Sequence, residues 1–328
     1  MSELEVGSEV GKGWTVAEIP NLMGRRALVT GANSGVGFFA AVELARNGAH
    51  VLLACRDTRK GHAALTRMRV QDPRASAEVV ELDLASLDSV RRFAAAEDAQ
   101  GIPLDLLINN AGVMAPKRRQ ETVDGFEMQF GTNVLGHFAL TALLWPALLR
   151  AAQSAAERPR VVTIASIAHK TGQLNFTDLQ STESYGPMEA YRQSKLADLM
   201  FALELNRRLR AAGEPASRVM SVAAHPGVAR TNLFQAGEYS AVELRVRRAL
   251  GVAIAVLLNS GADGAVPTLF AATSPEVVDG GYYGPQGFQE MRGGDVGDAI
   301  VASQARDTAA AAKLWSICEE LTGVPFLP

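Results

Sequence analysis

Apolar positions along this chain fall into short continuous runs separated by longer amphipathic stretches. RALVT (Arg26–Thr30), HVLLAC (His50–Cys55), Ala77–Leu82, Leu104–Asn109, Val161–Ala165 and Arg218–Ala223 read as strands covered on both faces. Helical periodicity fills the gaps between them. A first helix ends near Asn47–Gly48, and others cover about Thr58–Gln71, Ser86–Gln100, Val123–Arg150 (bent near Pro146) and Met188–Ala211. After the sixth strand the pattern loosens. It predicts helices at Ala241–Asn259 and Ala262–Thr273, a last strand near Gly281–Gly284, an irregular glycine-rich stretch to Gly297 and a terminal helix at Ser303–Leu321. Strands alternating with helices predict an α/β, doubly wound parallel sheet of about seven strands, in one domain. Residues 1–24 read as an N-terminal arm. Residues 25–300 read as the domain with its loop insertions, and residues 301–328 as a C-terminal helix and tail packed on it.

Composition narrows the function classes. The 328 residues are 48% hydrophobic, enough for a sizeable core, and carry a formal net charge of −3. That charge argues against nucleic-acid binding through bulk electrostatics. Cys55 and Cys318 form neither a disulfide framework nor a metal cluster, so a cytoplasmic location and no metal are expected. His169 and His225 lack a ligand cluster around them. The first 22 residues hold no apolar core of signal-peptide length, and Val252–Leu258 is too short to span a bilayer, so no integral membrane segment is expected. Val252–Leu258 suits either a buried helix face or an apolar lid.

The first strand feeds TGANSGVG (Thr30–Gly37), which opens the first helix. Gly31 can make the tight turn. Gly35 and Gly37 let a pyrophosphate approach a helix N-terminus rich in unpaired N–H groups. The second strand ends in Cys55–Arg56–Asp57, where the adenosine ribose of a dinucleotide would lie. Arg56 suits a 2′-phosphate, and hence NADP(H) over NAD(H). If Asp57 turned inward instead, it would suit a free 2′-hydroxyl. Further along, Tyr191 and Lys195 stand four residues apart on one helix face. A neighbouring ammonium favours the phenolate, and a shift of roughly 2–3 units would let Tyr191 exchange a proton near neutral pH.

These motifs resemble the short-chain dehydrogenase/reductases, which have a Rossmann-type fold. The match runs through TGANSGVG, Asp83–Leu84, NNAG (Asn109–Gly112), Asn133, Ser166, YRQSK (Tyr191–Lys195) and HPGVART (His225–Thr231). VLLACRD, IASIAHKTGQLNFTDLQ and YRQSKLADLMFALELNRRL are similar to the retinol dehydrogenase-like branch, in which an Arg after strand two accompanies NADP use. The resemblance implies a catalytic tetrad. Tyr191 would be the general acid/base, and Lys195 would lower its pKa and hold the nicotinamide ribose. Ser166 would orient the substrate oxygen, and Asn133 would hold a water behind Lys195. It further implies cofactor contacts from Gly31, Asn33, Ser34, Gly35, Val36, Gly37, Arg56, Asp83, Leu84, Asn110, Ala111, Gly112, Pro226, Gly227, Val228 and Thr231.

The expected activity is hydride transfer between NADP(H) and a small-molecule alcohol or carbonyl, of lipophilic character. Candidate substrate walls are His169–Tyr185, Thr231–Tyr239 and the helix with Val252–Leu258, carrying Leu174, Phe176, Tyr185, Leu233, Phe234 and Tyr239. A homodimer or homotetramer is compatible with the family. The rival readings are a non-catalytic NADP sensor and an extended-family dehydratase or epimerase.

Overall fold

The computed structural model describes residues 10–154, 157–228, 259–293 and 295–327. In chain order the main elements are β1 (Arg26–Thr30), α1 (Gly35–Arg46), β2 (His50–Cys55), α2 (Thr58–Gln71), β3 (Ala77–Glu81), α3 (Leu87–Gln100) and β4 (Leu106–Asn109). A π-helical turn (Phe130–Leu135) then runs into α4 (Gly136–Leu143), followed by α5 (Trp145–Ser154), β5 (Arg160–Ile164), α6 (Pro187–Ala212) and β6 (Met220–Ala224). The chain closes with α7 (Gly261–Thr273), β7 (Tyr282–Pro285), β8 (Val296–Asp298) and α8 (Thr308–Thr322).

The strands form one sheet in the order β3-β2-β1-β4-β5-β6-β7-β8. All neighbouring pairs are parallel except β7 and β8. The sheet therefore has one strand more than the sequence pattern predicts. β8 is three residues long and lies inside the glycine-rich stretch, too short to show a periodicity of its own.

Alternate residues of each strand feed opposite cores. Leu28, Leu52, Leu107 and Val161 pack beneath α3, α4, α5, α6 and α8. Val29, Val51, Ile108 and Val162 pack beneath α1, α2 and α7. Side chains alternate across a sheet, so continuous apolar runs bury both faces. The arm joins the second core through Trp14, which meets Phe270 edge-on at 5.4 Å. The C-terminal helix joins the first. Trp315 stacks on Phe201 and Phe326, and its indole N–H donates to the Phe326 carbonyl at 3.0 Å.

Helix ends follow local chemistry. Asp57 and Ser86 accept backbone N–H groups as N-caps of α2 and α3. Gly101 and Gly323 end α3 and α8 with φ of 67° and 64°. Two boundaries differ from expectation. The helix predicted from Val123 begins later, because Glu121 and Glu127 bridge across a tight turn. The bend predicted near Pro146 is a full break at Leu144, turning the chain by 52°. Pro146 then occupies the first turn of α5, where its missing N–H costs no hydrogen bond. Among the described residues, no single helix is long and apolar enough to cross a membrane. Most of the helix expected at Ala241–Asn259 lies outside the described residues.

Candidate active site

The order of the sheet reverses between β1 and β4, opening a crevice beyond the carboxyl ends of the strands. A cavity of about 610 Å³ lies there. Its floor is the glycine loop. Gly31 has φ of +67°, and a Cβ there would sit 3.0 Å from the Ala111 Cα. At Gly37 a Cβ would lie 2.3 Å from Asn110 Nδ2. The loop is thus pressed against the end of β4. Asn110 Nδ2 donates to the Thr30 carbonyl at 2.7 Å, and the Asn110 and Ala111 N–H groups both donate to Thr30 Oγ1 at 2.9 Å. The Ser34 side chain makes no cap hydrogen bond, so the first turn of α1 faces the cavity with N–H groups for an anion.

His137 locks this corner from below. Its Nδ1 lies 2.8 Å from the Asn133 carbonyl and its Nε2 2.9 Å from Thr30 Oγ1. A carbonyl only accepts, so Nδ1 carries the hydrogen and Nε2 accepts from the Thr30 hydroxyl. Complete burial pushes His137 down to about 4, with the Asn133 hydrogen bond opposing and the Lys195 charge assisting.

Asn133 sits in the π-turn, fully buried. Its Oδ1 accepts from the Val113 N–H at 2.8 Å, and its Nδ2 donates to the Val113 carbonyl and to Ser194 Oγ. The carboxamide holds the cavity wall to α6. Its polar atoms are engaged there.

The far wall comes from β5 and α6. Ser166 follows β5, lines the cavity and caps a 3₁₀ turn (Ile167–Thr171) by accepting from Ala168 N at 3.2 Å. Its carbonyl accepts from His169 Nδ1 at 2.6 Å. Pro187 starts α6, preset for a first helical turn, and the helix carries Tyr191 and Lys195 into the same cavity. Lys195 Nζ donates to the Ile164 carbonyl at 2.9 Å and to Asp198 Oδ2 at 2.8 Å. Burial pulls the Lys195 ammonium down, while Asp198 and the Tyr191 phenol more than offset it. Burial pushes the Asp198 carboxyl up to about 6 against the pull of Lys195.

Of the expected residues, Gly31, Asn33, Ser34, Gly35, Val36, Gly37, Asn110, Ala111, Gly112, Ser166, Tyr191, Lys195, Pro226, Gly227 and Val228 line this cavity. Asp83 and Leu84 do not. Asp83 Oδ1 accepts from Ala85 N, and Leu84 packs under Gly136. Arg56 is exposed at the rim of the sheet, outside the lining. Thr231, Leu233, Phe234 and Tyr239 lie outside the described residues.

Leu174, Phe176 and Tyr185 line none of the cavity. Leu174 and Phe176 pack on the core, Lys313 lies 4.4 Å above the Phe176 ring, and Tyr185 donates to the Pro116 carbonyl. Beyond the expected site residues the cavity is also lined by Met114, Ile167, Ala168, Met188, Arg192 and Thr171, the last of which falls within the expected wall His169–Tyr185. The other five flank recognisable motifs without forming one, so the sequence pattern does not single them out. His137 and Asp198 were missed as well, although each follows a motif residue at helical spacing, four after Asn133 and three after Lys195.

The family model for short chain dehydrogenases matches residues 25–239. The chain belongs to this family. It is 41% identical over 306 residues to mouse (Mus musculus) polyprenol dehydrogenase, covering 93% of this chain and 86% of that protein. It is 38% identical to human (Homo sapiens) retinol dehydrogenase 14, covering 93% and 88%. The crystal structure of an uncharacterized protein from Mycobacterium paratuberculosis superposes with a TM-score of 0.75, at 42% identity, over 96% of this chain and 99% of that one. The family binds NAD(P), and the glycine cradle fits such a group. Added methylenes at Gly31 and Gly37 would break its packing, and the N-terminal turn of α1 opens onto the cavity.

Proposed function

We propose that this chain is an NADP-dependent oxidoreductase interconverting a lipophilic alcohol with its aldehyde or ketone. The observation that carries this reading is the convergence of Tyr191, Lys195 and Ser166 on one cavity floored by the glycine loop. The bound nicotinamide would supply or accept the hydride. The chain's own residues manage the proton and the geometry. In reduction, Tyr191 gives its phenolic proton to the oxygen developing negative charge, and in oxidation it takes that proton back. Ser166 donates to the same oxygen and fixes its position. Lys195 is held by Ile164 and Asp198, which leaves one ammonium donor for the cavity, where a ribose hydroxyl would sit. Asn133 supports this arrangement by fixing Val113 in the wall and Ser194 on α6.

The preference for NADP rests on what Asp57 and Arg56 do. The Asp57 carboxylate is committed to capping α2, accepting from Arg59 N and Lys60 N, and the Lys60 N–H leads in holding it below the usual carboxylate range. Both N–H groups end on Oδ1, so the cap holds the carboxylate against the first turn of α2. Arg56 is exposed, and among the described residues it enters no ion pair, which suits a dianionic 2′-phosphate. The apolar wall of Met114, Ile167, Ala168 and Met188 favours a lipophilic substrate, in keeping with the isoprenoid alcohols named in the relatives.

The test is NADPH oxidation across retinaldehyde, polyprenals and short aldehydes, with Tyr191→Phe as control. Turnover that vanishes in the variant is expected. Tight NADPH binding without turnover on any carbonyl would replace this reading with a cofactor sensor. Turnover of a substrate with no net NADPH consumption would point to a dehydratase or epimerase.

A further inference from the structure

Asp198 lies one turn beyond Lys195 on α6, its Oδ2 2.8 Å from the ammonium, with side-chain exposures of 4% and 7%. Nothing in the chemistry above requires a carboxylate there. A buried ammonium paired at contact distance presents its neighbours with a dipole rather than a full charge, and the field of a dipole falls off faster with distance. The Tyr191 phenol depends on that field, since an opposite charge nearby is what favours its ionised form.

We propose that Asp198 is a positioning residue: it clamps the Lys195 ammonium against the end of β5 and partly neutralises it, so setting the proton affinity of Tyr191. The inference rests on the reading of Tyr191 as the proton donor. The other groups around the pair carry little competing charge. Burial keeps His137 of α4 neutral above about pH 4. Burial pushes the Cys318 thiol of α8, beside Asp198, well above its ordinary range, so it stays protonated. Burial likewise raises the Tyr282 phenol of β7. Arg192 on α6 is 40% exposed and stands 3.9 Å from Glu189, in screening solvent. Glu290 is paired with Lys170 at 2.9 Å and lies 3.2 Å from His225. Among the described residues, the charges that act on Tyr191 from the buried side are thus Lys195 and Asp198.

The chain has five tyrosines, so ¹³Cζ-tyrosine labelling gives a resolvable titration by NMR, with Tyr191 assigned through Tyr191→Phe. Asp198→Asn removes the charge and keeps the shape. The Tyr191 midpoint is expected to fall by about one unit or more. The alkaline limb of the kcat/KM profile for carbonyl reduction, where the phenol loses its proton, should move by the same amount, with NADPH affinity changed less than about threefold. Asp198→Glu should restore the midpoint. Asp198→Ser provides a second neutral variant in case Asp198→Asn fails to fold, and it too should lower the midpoint. An unmoved or raised midpoint in a folded neutral variant overturns the inference. The titration needs no turnover. An enzyme inactive on every carbonyl would sink the proposed function and still leave the midpoint to decide the role of Asp198.

Discussion

His137 Nε2 lies 2.9 Å from the hydroxyl of Thr30, 107 residues away, and ties the helix behind the cavity to the root of the glycine loop. The Thr30 hydroxyl also receives two backbone N–H groups, so a third donor at that oxygen would have no lone pair to meet. His137 must therefore be neutral in the folded chain.

A pH dependence of stability follows. His137 is held at about 4 in the fold, against about 6.5 in the unfolded chain. Between those values the unfolded state binds the extra proton, so stability rises with pH through this window and is lost as pH falls toward 4. The full contribution is about 3 kcal/mol. Urea unfolding from pH 4 to 7.5 should show this slope, and His137→Gln should flatten it. An identical slope in the variant would remove His137 as its source.

Tyr191→Phe removes the phenolic proton and little else from the cavity wall. Carbonyl reduction should fall by roughly 10²–10⁴. NADPH binding, followed by fluorescence titration, should stay within about threefold. A variant retaining most of its turnover would show that another group delivers the proton.

Arg56→Ala should weaken NADPH by roughly 10–100-fold at low salt and leave NADH within about twofold, because only the 2′-phosphate needs the guanidinium. Isothermal titration with both cofactors reads the difference. Equal losses for both would mean that Arg56 acts on something the two share.

Gly37→Ala places a methyl 2.3 Å from Asn110 Nδ2 and 2.9 Å from the Gly31 carbonyl. Either the loop or the end of β4 must shift. A stability loss of about 1–3 kcal/mol is expected from overpacking, along with at least tenfold weaker NADPH binding. Unchanged affinity would separate the cofactor from this contact.

Trp315→Ala empties a cluster shared by Phe138, Phe201 and Phe326. Unfolding should lose about 3–5 kcal/mol and remain a single transition, because α8 packs on the same core as α4 and α6. Separate melting of α8 would show that it is an appended element.

Much of this molecule is legible before folding. β1, β2 and α2 fall where their periodicity puts them, and the glycine loop is recognisable because its residue types serve a local backbone need. Tyr191 and Lys195 share a face because a helix repeats every 3.6 residues. Other features are settled by contacts between residues distant in sequence. β8 is a strand because β7 offers it an edge, and Phe176 lies outside the cavity lining because the core and Lys313 receive it. Asn133 bonds to Val113 and Ser194, 20 and 61 residues away, because the fold brings them beside the π-turn. The spacing of Lys195 and Asp198 allowed a pair, but burial gave the pair its consequence. The alternating strands and helices, the glycine loop and the candidate reactive side chains are thus written in the chain itself, because they depend on short-range periodicity and residue type. Which polar groups are desolvated against which partners is set by the fold, since the energy of a charge or a hydrogen bond depends on the surroundings that folding brings to it.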